Sequence, residues 1–233
     1  MCIRDRDIAN AIYDGTSAIM LSGETAAGGY PILALKTMSI IAERTERDTD
    51  YVKRFKNRDI QDAHPNVTSA ISHATVTTAH DLGAVAILAV SKSGKTARMI
   101  SKYRPLCPII TGTTDPTVWR QMNLSWGVKP IMVDEKNNTD ELFDHVVSVA
   151  KTTGIVQNGD LVVITAGVPL GVSGTTNLMK VQLVGDALVS GMGIIKCCVC
   201  GNLCVCKTEE EAKKNFKPGD ILVICLLYTS RCV

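Results

Sequence analysis

Apolar positions between residues 64 and 185 follow two alternating periods. Short continuous apolar runs such as Val85–Val90 are typical of strands that are buried on both faces of a parallel sheet. Between these runs, apolar residues recur at helical spacing, as in Asn66–Leu82. The alternation predicts a doubly wound α/β domain with a mostly parallel sheet over residues 64–188.

The individual elements of this domain follow from the same pattern. Strands are predicted at Val85–Val90, Pro108–Thr111, Val128–Val133, Leu161–Thr165 and Leu178–Val184. Helices are predicted at Asn66–Leu82, from Thr96 to about Tyr103, from Asp115-Pro116 onward, and from the cap Thr139-Asp140-Glu141 to Gly154. In the first of these helices, the residues expected to face inward are Val67, Ala70, Ile71 and Ala74.

The regions on either side have different patterns. Residues 1–47 predict the end of a helix, a short buried strand at Ser17–Leu21, a polar turn, and a helix from Pro31 with one apolar stripe. That stripe consists of Ala34, Met38, Ile41 and Ala42. A charged run extends from Glu43 to Asp62, and residues 48–63 predict a linker. Residues 189–233 predict a cysteine- and valine-rich hairpin turning at Gly201-Asn202, a charged helix over Thr208–Asn215, and a strand at Ile221–Ile224.

Composition narrows the class of protein. The 233 residues are 45% hydrophobic and 21% charged, with a net charge of +2 and only 4% aromatic residues. We expect no nucleic-acid partner, because no basic stripe with interleaved aromatic residues is present. We expect no membrane partner, because no apolar run reaches the roughly 20 residues that a spanning helix needs. No apolar signal-peptide core precedes the first strand, so a cytoplasmic location is expected.

Two stretches resemble a known family. Residues 7–11 (DIANA) and 13–31 (YDGTSAIMLSGETAAGGYP) resemble the last strand and helix of the pyruvate kinase (β/α)8 barrel. Residues 162–181 (VVITAGVPLGVSGTTNLMKV) resemble the closing loop and strand of that family's carboxyl-terminal allosteric domain. Residues 208–224 (TEEEAKKNFKPGDILVI) are similar to the start of the mobile, phosphohistidine-type domain found in some bacterial members. The resemblance implies a carboxyl-terminal fragment: barrel end, linker, allosteric domain and truncated mobile domain.

The resemblance also implies a function. Pyruvate kinases transfer a phosphoryl group from phosphoenolpyruvate to ADP in glycolysis, use Mg²⁺ and K⁺, and form homotetramers. By resemblance, Ser22 and Glu24 would hydrogen-bond the groups that hold substrate and metal. The catalytic lysine and the metal ligands of the family are expected outside this fragment, so no metal site is predicted in it. A free-standing sugar-phosphate-binding module without activity is the alternative.

The loop Ser91-Lys92-Ser93-Gly94-Lys95-Thr96 is the strongest local signal for ligand binding. It lies between a buried strand and a helix start, where backbone N–H groups and the helix dipole favour a phosphate. The lysines add charge, and the hydroxyls add hydrogen-bond donors. Residues 89–96 nearly match a P-loop, but Ala89 replaces the first glycine and no Walker B acid follows. An effector-phosphate site is therefore preferred over NTP hydrolysis or an ordinary turn.

The loop Gly167–Asn177 is expected to close over the same effector. Ser173, Gly174 and Thr175 are its predicted phosphate-binding residues. Members of the family that are activated by fructose 1,6-bisphosphate often place an arginine in the neighbouring helix. The stretch Leu142–Val147 contains no arginine. A monophosphate effector or AMP therefore remains open beside a bisphosphate.

Five of the nine cysteines lie in one short stretch, which comprises Cys197, Cys198, Cys200, Cys204 and Cys206. A disulfide-held secreted domain would spread its cysteines over the fold. Zinc binding needs the two cysteine pairs to converge, and their spacing is narrower than in most structural zinc sites. Small buried thiols are the preferred interpretation, with a zinc or thiol protein as a third alternative. The four histidines have no partner motif and are expected to be structural.

Overall fold

The computed structural model describes residues 3–57, 66–136, 138–168, 176–185, 199 and 201–224. The chain divides into two compact units, residues 1–186 and residues 187–233. Among the described residues, no helix combines the length and the apolar character that crossing a bilayer requires.

The first unit begins with four helices. They are α1 (Ile3–Asp14), α2 (Gly23–Ala26), α3 (Pro31–Asp48) and α4 (Tyr51–Lys56). Pro31 lies at the start of α3, as predicted, and the residues of the predicted stripe are half-buried. The strand predicted at Ser17–Leu21 is wrong, because these residues join α1 to α2 without strand structure. A parallel strand is held by its neighbours, and the described residues offer this segment no strand to pair with.

The predicted linker contains α4. Asp50 caps this helix by accepting a 2.9 Å hydrogen bond from the Lys53 N–H. Phe55 is only 8% exposed and stacks on the His73 ring, with 5.1 Å between centroids. The charged run therefore also anchors the amino-terminal helices on the rest of the unit.

The α/β region alternates helices and strands as the sequence predicts. Its elements are α5 (Val67–Leu82), β1 (Ala86–Val90), α6 (Lys95–Lys102), β2 (Ile109–Thr113), α7 (Pro116–Met122), β3 (Val128–Met132), α8 (Thr139–Thr152), β4 (Leu161–Ala166) and β5 (Leu178–Leu183). The strand order is β3-β2-β1-β4-β5, with β5 antiparallel to β4 and all other pairs parallel. The predicted mixed α/β fold with a mostly parallel sheet is confirmed.

Helices cover both faces of this sheet. On one face, Phe143 and Val146 of α8 pack against Leu88 of β1 and Ile110 of β2. On the other face, residues of α5, α6 and α7 pack against the alternate strand positions. These residues are Val76, Ala79, Ala97, Ile100 and Met122, which contact Ile87, Ala89, Ile109 and Val163. Because β1 and β4 are buried on both faces, they are apolar at nearly every position.

Helix ends follow the expected capping chemistry, with one correction. Asn66 caps α5 by accepting from the Ser69 N–H at 2.9 Å, and Asp115 caps α7 by accepting from the Thr117 N–H at 2.7 Å. The cap of α8 is Asn138, which accepts from the Asp140 N–H at 3.0 Å. Thr139 is therefore the first helical residue. Asparagine is as good a cap as threonine, and the helix starts one residue earlier than predicted.

The inward face predicted for α5 is wrong. Val67 is 64% exposed, Ala70 is exposed, and Ile71 and Ala74 are only half-buried. The buried face instead consists of Thr68, Ser69, Ser72, Thr75, Val76 and Ala79. The Thr75 hydroxyl can be buried here because it donates to the Ile71 carbonyl of the helix backbone at 2.7 Å.

The second unit contains β6 (Leu203–Cys206), α9 (Glu209–Asn215) and β7 (Ile221–Ile224). The Thr208 side chain caps α9 by accepting from the Glu211 N–H at 3.3 Å. β6 pairs with β7 in parallel, so β6, α9 and β7 form a strand–helix–strand unit in which Leu203–Cys206 is the first strand. The hairpin partner predicted before Gly201 lies outside the described residues.

Candidate functional site

The loop between β1 and α6 lies at the carboxyl end of the parallel strands. The Ser91 N–H donates to the Gly112 carbonyl of β2 at 3.1 Å, and this hydrogen bond holds the start of the loop against the neighbouring strand. Gly94 ends the loop with φ of 72°, and a Cβ atom there would lie 2.5 Å from Cε of the buried Met122. The backbone angle favours glycine at this position, and a larger residue would also have to displace the end of the Met122 side chain.

The first turn of α6 meets the end of the β4–β5 connection. Gly94 is the N-cap of α6 and has no side chain to cap the first turn. The hydroxyls of Thr96 and Thr176 are 2.7 Å apart, and both residues are buried. The next residue, Asn177, bonds to Val168 twice: its side-chain oxygen accepts from the N–H at 2.8 Å, and its amide donates to the carbonyl at 2.6 Å. The base of the glycine-rich loop is thus fixed beside α6.

A cavity of about 610 Å³ opens at this junction. Its lining comprises Asn66, Val67, Thr68, Lys95, Met99, Thr176 and Asn177. The lining includes the amino-terminal ends of two helices, α5 and α6, together with the Lys95 ammonium group. Each helix end carries a partial positive charge of roughly one half. Among the described residues, no acidic side chain lines the cavity, so its electrostatics suit an anion.

The predicted loop residues occupy different environments. Lys95 lines the cavity, and Thr96 contacts Thr176. Lys92 pairs with Glu135 at 3.8 Å, with both side chains exposed. Ser91 is buried, and the Ser93 carbonyl accepts from Arg98 Nη2 at 3.1 Å. The predicted residues Ser173, Gly174 and Thr175 lie outside the described residues.

Sequence reasoning missed the contribution of α5. Its cap, Asn66, was recognisable from the sequence, but nothing local indicates that its first turn faces the same cavity as α6. Ala89 stands where a P-loop would have its first glycine. It is fully buried in β1 and aligned with Thr111 and Thr165 of the neighbouring strands, so it belongs to the strand and not to the loop.

The second predicted site is the turn that contains Ser22 and Glu24. Ser22 is the exposed N-cap of α2, and its N–H donates to Glu24 Oε2 at 3.2 Å. Glu24 is half-buried and reaches a cavity of about 450 Å³. Most of the other lining residues are apolar: Ile8, Met20, Leu21, Tyr30, Leu33, Ala34 and Met38, with Asp7 and Thr37. The turn therefore presents one carboxylate at the edge of an apolar surface.

Titratable groups elsewhere in the described residues show no arrangement for catalysis. Burial raises the pKa of the Cys107 thiol to about 11, which keeps it protonated and unreactive. Burial lowers the pKa of His80, whose Nε2 accepts from the Leu106 N–H at 3.0 Å. The Cys204 and Cys206 sulfurs are 3.5 Å apart, but no group of three metal-binding side chains occurs among the described residues. Cys197, Cys198 and Cys200 lie outside that part of the chain.

Two family models match the chain. The model of the pyruvate kinase alpha/beta domain matches residues 69–182, and the model of the pyruvate kinase barrel domain matches residues 4–35. The first match covers the sheet and the helices around it. The second covers the turn that contains Ser22 and Glu24.

Individual relatives agree with these models. Over 93% of its length, the chain is 45% identical to a pyruvate kinase from Lactobacillus delbrueckii subsp. bulgaricus and 46% identical to one from Geobacillus stearothermophilus. It spans 37% of the length of each of these curated relatives. The crystal structure of a pyruvate kinase from Cryptosporidium parvum superposes with a TM-score of 0.69 at 32% identity, covering 79% of this chain and 36% of that one. The chain therefore belongs to the pyruvate kinase family and carries residues of the family's barrel domain followed by its alpha/beta domain.

Proposed function

We propose that this chain is part of an enzyme that transfers a phosphoryl group from phosphoenolpyruvate to ADP, giving pyruvate and ATP in glycolysis. The support is the match to both family models and to relatives named pyruvate kinase. Such relatives do not favour the alternative of a free-standing binding module. We further propose a cytoplasmic location and four parts: a barrel end (1–47), a linker (48–63), an allosteric domain (64–188) and a mobile domain (189–233).

Within that enzyme, we propose that the cavity between α5 and α6 binds the phosphate of an effector. The single observation that carries this proposal is the convergence of two helix amino termini and Lys95 on one cavity that no acidic side chain of the described residues lines. Its volume, about 610 Å³, is within the usual range for small-molecule sites. Thr176 and Asn177 bring the glycine-rich loop to the same place. Ser173, Gly174 and Thr175 of that loop remain proposed phosphate ligands.

A single phosphate group is what the described residues support best. The stretch Leu142–Val147 has no arginine for a second phosphate. We therefore propose a sugar monophosphate or AMP before a bisphosphate.

For the turn at the barrel end, we propose that Ser22 and Glu24 support the groups that hold substrate and metal. The proposed reaction uses Mg²⁺ and K⁺ to offset the charge of the transferred phosphoryl group. Within the described ranges, no three His, Cys, Asp or Glu side chains lie close enough to bind a metal ion. The described residues do not fit a metal site, so we assign the metal ligands elsewhere and derive no step through the metal.

We also propose that the intact enzyme is a homotetramer and that this chain supplies a self-association surface. β5 is an edge strand of the sheet, and no other strand among the described residues pairs with the outer side of its backbone. Its side chains Met179, Val181 and Leu183 are 36–46% exposed. They lie on the sheet face covered by α5, whose Val67 is also exposed. An exposed edge strand with apolar side chains favours pairing with a second copy.

The effector site is tested by titration calorimetry of this chain with glucose 6-phosphate, AMP and fructose 1,6-bisphosphate. Losing a charged hydrogen bond costs about 1.5–3 kcal/mol, so Lys95→Ala should weaken binding roughly 10- to 150-fold. Lys151→Ala removes another exposed lysine, near the end of α8, and should leave binding unchanged. A strong preference for the bisphosphate would contradict the monophosphate assignment.

The same substitution tests the function in the complete enzyme. A coupled assay follows pyruvate formation from phosphoenolpyruvate and ADP while the effector is added. Lys95→Ala should raise the effector concentration for half-maximal activation by the same factor. No pyruvate formation would contradict the proposed activity, whereas activation unaffected by Lys95→Ala would contradict only the proposed site.

A further inference from the structure

Arg104 joins the α/β region to the amino-terminal helices. Its guanidinium Nη2 donates to the Gly15 carbonyl at 2.6 Å and to the Ser17 hydroxyl at 2.9 Å. The residue is 8% exposed, although arginine is seldom buried without partners. Its φ is 53°, the only positive φ of a non-glycine residue in the described ranges. Backbone strain of this kind persists only where the surroundings hold it in place.

Trp126 completes the contact. The Arg104 guanidinium carbon lies 4.8 Å from the centre of the Trp126 ring, a cation–π geometry. The Trp126 indole N–H donates to Glu46 Oε1 of α3 at 3.0 Å, and the ring packs on Tyr51 of α4 at 5.1 Å. The α1–α2 connection, α3 and α4 thus all contact the α/β region at Arg104 and Trp126.

Arg104 is also positioned by α6. This helix has eight residues and is about 12 Å long. Its amino terminus lies at the proposed effector cavity, where Lys95 lines the cavity and the Thr96 hydroxyl is 2.7 Å from that of Thr176. At its other end, the Ser101 hydroxyl donates to the Trp126 carbonyl at 2.6 Å, and the Arg104 N–H donates to the Ser101 carbonyl at 3.1 Å. The α6 helix therefore makes contacts at both ends, and it offers a direct physical connection between the cavity and Arg104.

The segment that Arg104 contacts leads directly to the second proposed site. Gly15 and Ser17 follow α1, and the chain then continues to the turn at Ser22 and Glu24. Ser17 is exposed, so the arginine contact is what fixes its hydroxyl among the described residues. The same helix therefore has the effector cavity at one end and a contact to the barrel-derived segment at the other.

We propose that Arg104 is a positioning residue that couples phosphate binding at the amino terminus of α6 to the conformation of the Gly15–Glu24 segment. The coupling rests on the proposed effector site. Phosphate binding holds the first turn of α6, α6 holds Arg104, and Arg104 holds the Gly15 carbonyl and the Ser17 hydroxyl. Arg104 contacts neither the ligand nor the reacting groups.

Two signals report on this coupling in the 233-residue chain. The Gly15 and Thr16 N–H groups donate to Ile12 and Ala11 at 3.0 and 3.1 Å, so their hydrogen exchange reports on the segment. Trp126 lies in the contact itself, and the chain has only one other tryptophan, Trp119. In a Trp119→Phe background, fluorescence therefore comes from Trp126 alone.

The probe is glucose 6-phosphate, with AMP and fructose 1,6-bisphosphate in parallel, and calorimetry confirms binding of each. In the wild-type chain, binding should slow exchange at Gly15 and Thr16 and change the Trp126 emission. Arg104→Met should bind the probe with unchanged affinity and lose both responses. Without ligand, its exchange at these amides should be about tenfold faster or more, because charge-assisted hydrogen bonds are lost. Arg104→Lys keeps the charge without the planar fork and should restore the responses in part.

Arg120→Met is the matched control, since it removes an exposed arginine from α7 and should keep both responses. If Arg104→Met does not fold, Ser17→Ala removes one acceptor at an exposed position and should weaken the response. Full responses in Arg104→Met, or in Ser17→Ala where that variant replaces it, overturn the coupling and leave the effector site standing. Failure of every probe to bind the wild-type chain overturns the effector site and the coupling together.

Discussion

Helices α3 and α8 have similar apolar content but pack differently. α8 buries Leu142, Phe143, Val146, Val147 and Ala150 against the sheet. α3 buries only Thr45, and its residues Ile32, Leu33 and Ile40 are 62–69% exposed. An apolar face stabilises a fold only where other residues cover it, and the described residues cover that of α8 but not that of α3. The α/β region is thus complete as a core, whereas the amino-terminal helices depend on a few contacts such as those of Phe55 and Arg104.

The largest expected difference between the two regions is in the cost of truncating an apolar side chain. Phe143→Ala should reduce the free energy of unfolding by about 3–5 kcal/mol, because Phe143 is 1% exposed in the core. Ile40→Ala should change it by no more than about 0.5 kcal/mol, because Ile40 is 68% exposed. Urea denaturation followed by circular dichroism measures both values. Similar losses for the two variants would show that α3 is covered as α8 is.

The difference between the regions also explains what the sequence could predict. Strands β1 and β4 were predictable because burial on both faces makes nearly every position apolar, a pattern that needs no knowledge of the neighbours. The strand at Ser17–Leu21 was wrong because an apolar run becomes a strand only when others pair with it. The face of α5 was wrong because Thr68 and Thr75 are buried as hydroxyl-bearing residues, which hydrophobic periodicity counts as polar.

The candidate site was also predictable only in part, namely where its residues follow each other in the chain. Lys95 and Thr96 stand out because strand, turn and helix follow each other in the chain, and local chemistry then favours a phosphate. The approach of Asn66 and Thr176 depends on how α5 and the β4–β5 connection pack on α6. No local pattern encodes that packing.

The β5 edge is the part of the α/β region that most resembles the amino-terminal helices, because its apolar side chains are exposed. If a second copy covers it, the chain should self-associate, and the mean mass measured by sedimentation should rise with protein concentration.

Val181→Lys should abolish this association, because an edge lysine opposes strand pairing. The same substitution should change the free energy of unfolding of the monomer by less than about 0.5 kcal/mol. Lys180 already points to the opposite face, where it pairs with Asp140 at 3.7 Å, so Lys180→Ala is a control that should keep the association. A wild-type chain that stays monomeric at all concentrations would contradict the proposed surface.

The smallest expected effect is a pH dependence at the junction of the two regions. His80 of α5 packs edge-on against Phe55 of α4, with 5.2 Å between ring centres, and its Nε2 accepts from the Leu106 N–H. Burial, the largest cause, and the Lys56 charge both lower the pKa of His80 in the folded chain, while Asp81 partly opposes them. The unfolded histidine has a pKa of about 6.5, so below that pH the unfolded chain binds more protons than the folded chain. The contribution of His80 to the free energy of unfolding should therefore be fully present above about pH 6.5 and should fall as the pH drops toward the lower folded pKa.

In His80→Gln, the amide oxygen can still accept from Leu106 but cannot titrate. The part of the stability loss at acid pH that His80 causes should therefore disappear in this variant. His145→Gln, which replaces another histidine that accepts a backbone N–H, should leave that part in place. Thermal unfolding between pH 5 and 8 measures the difference, and an equally steep loss in wild type and His80→Gln would exclude His80 as its source.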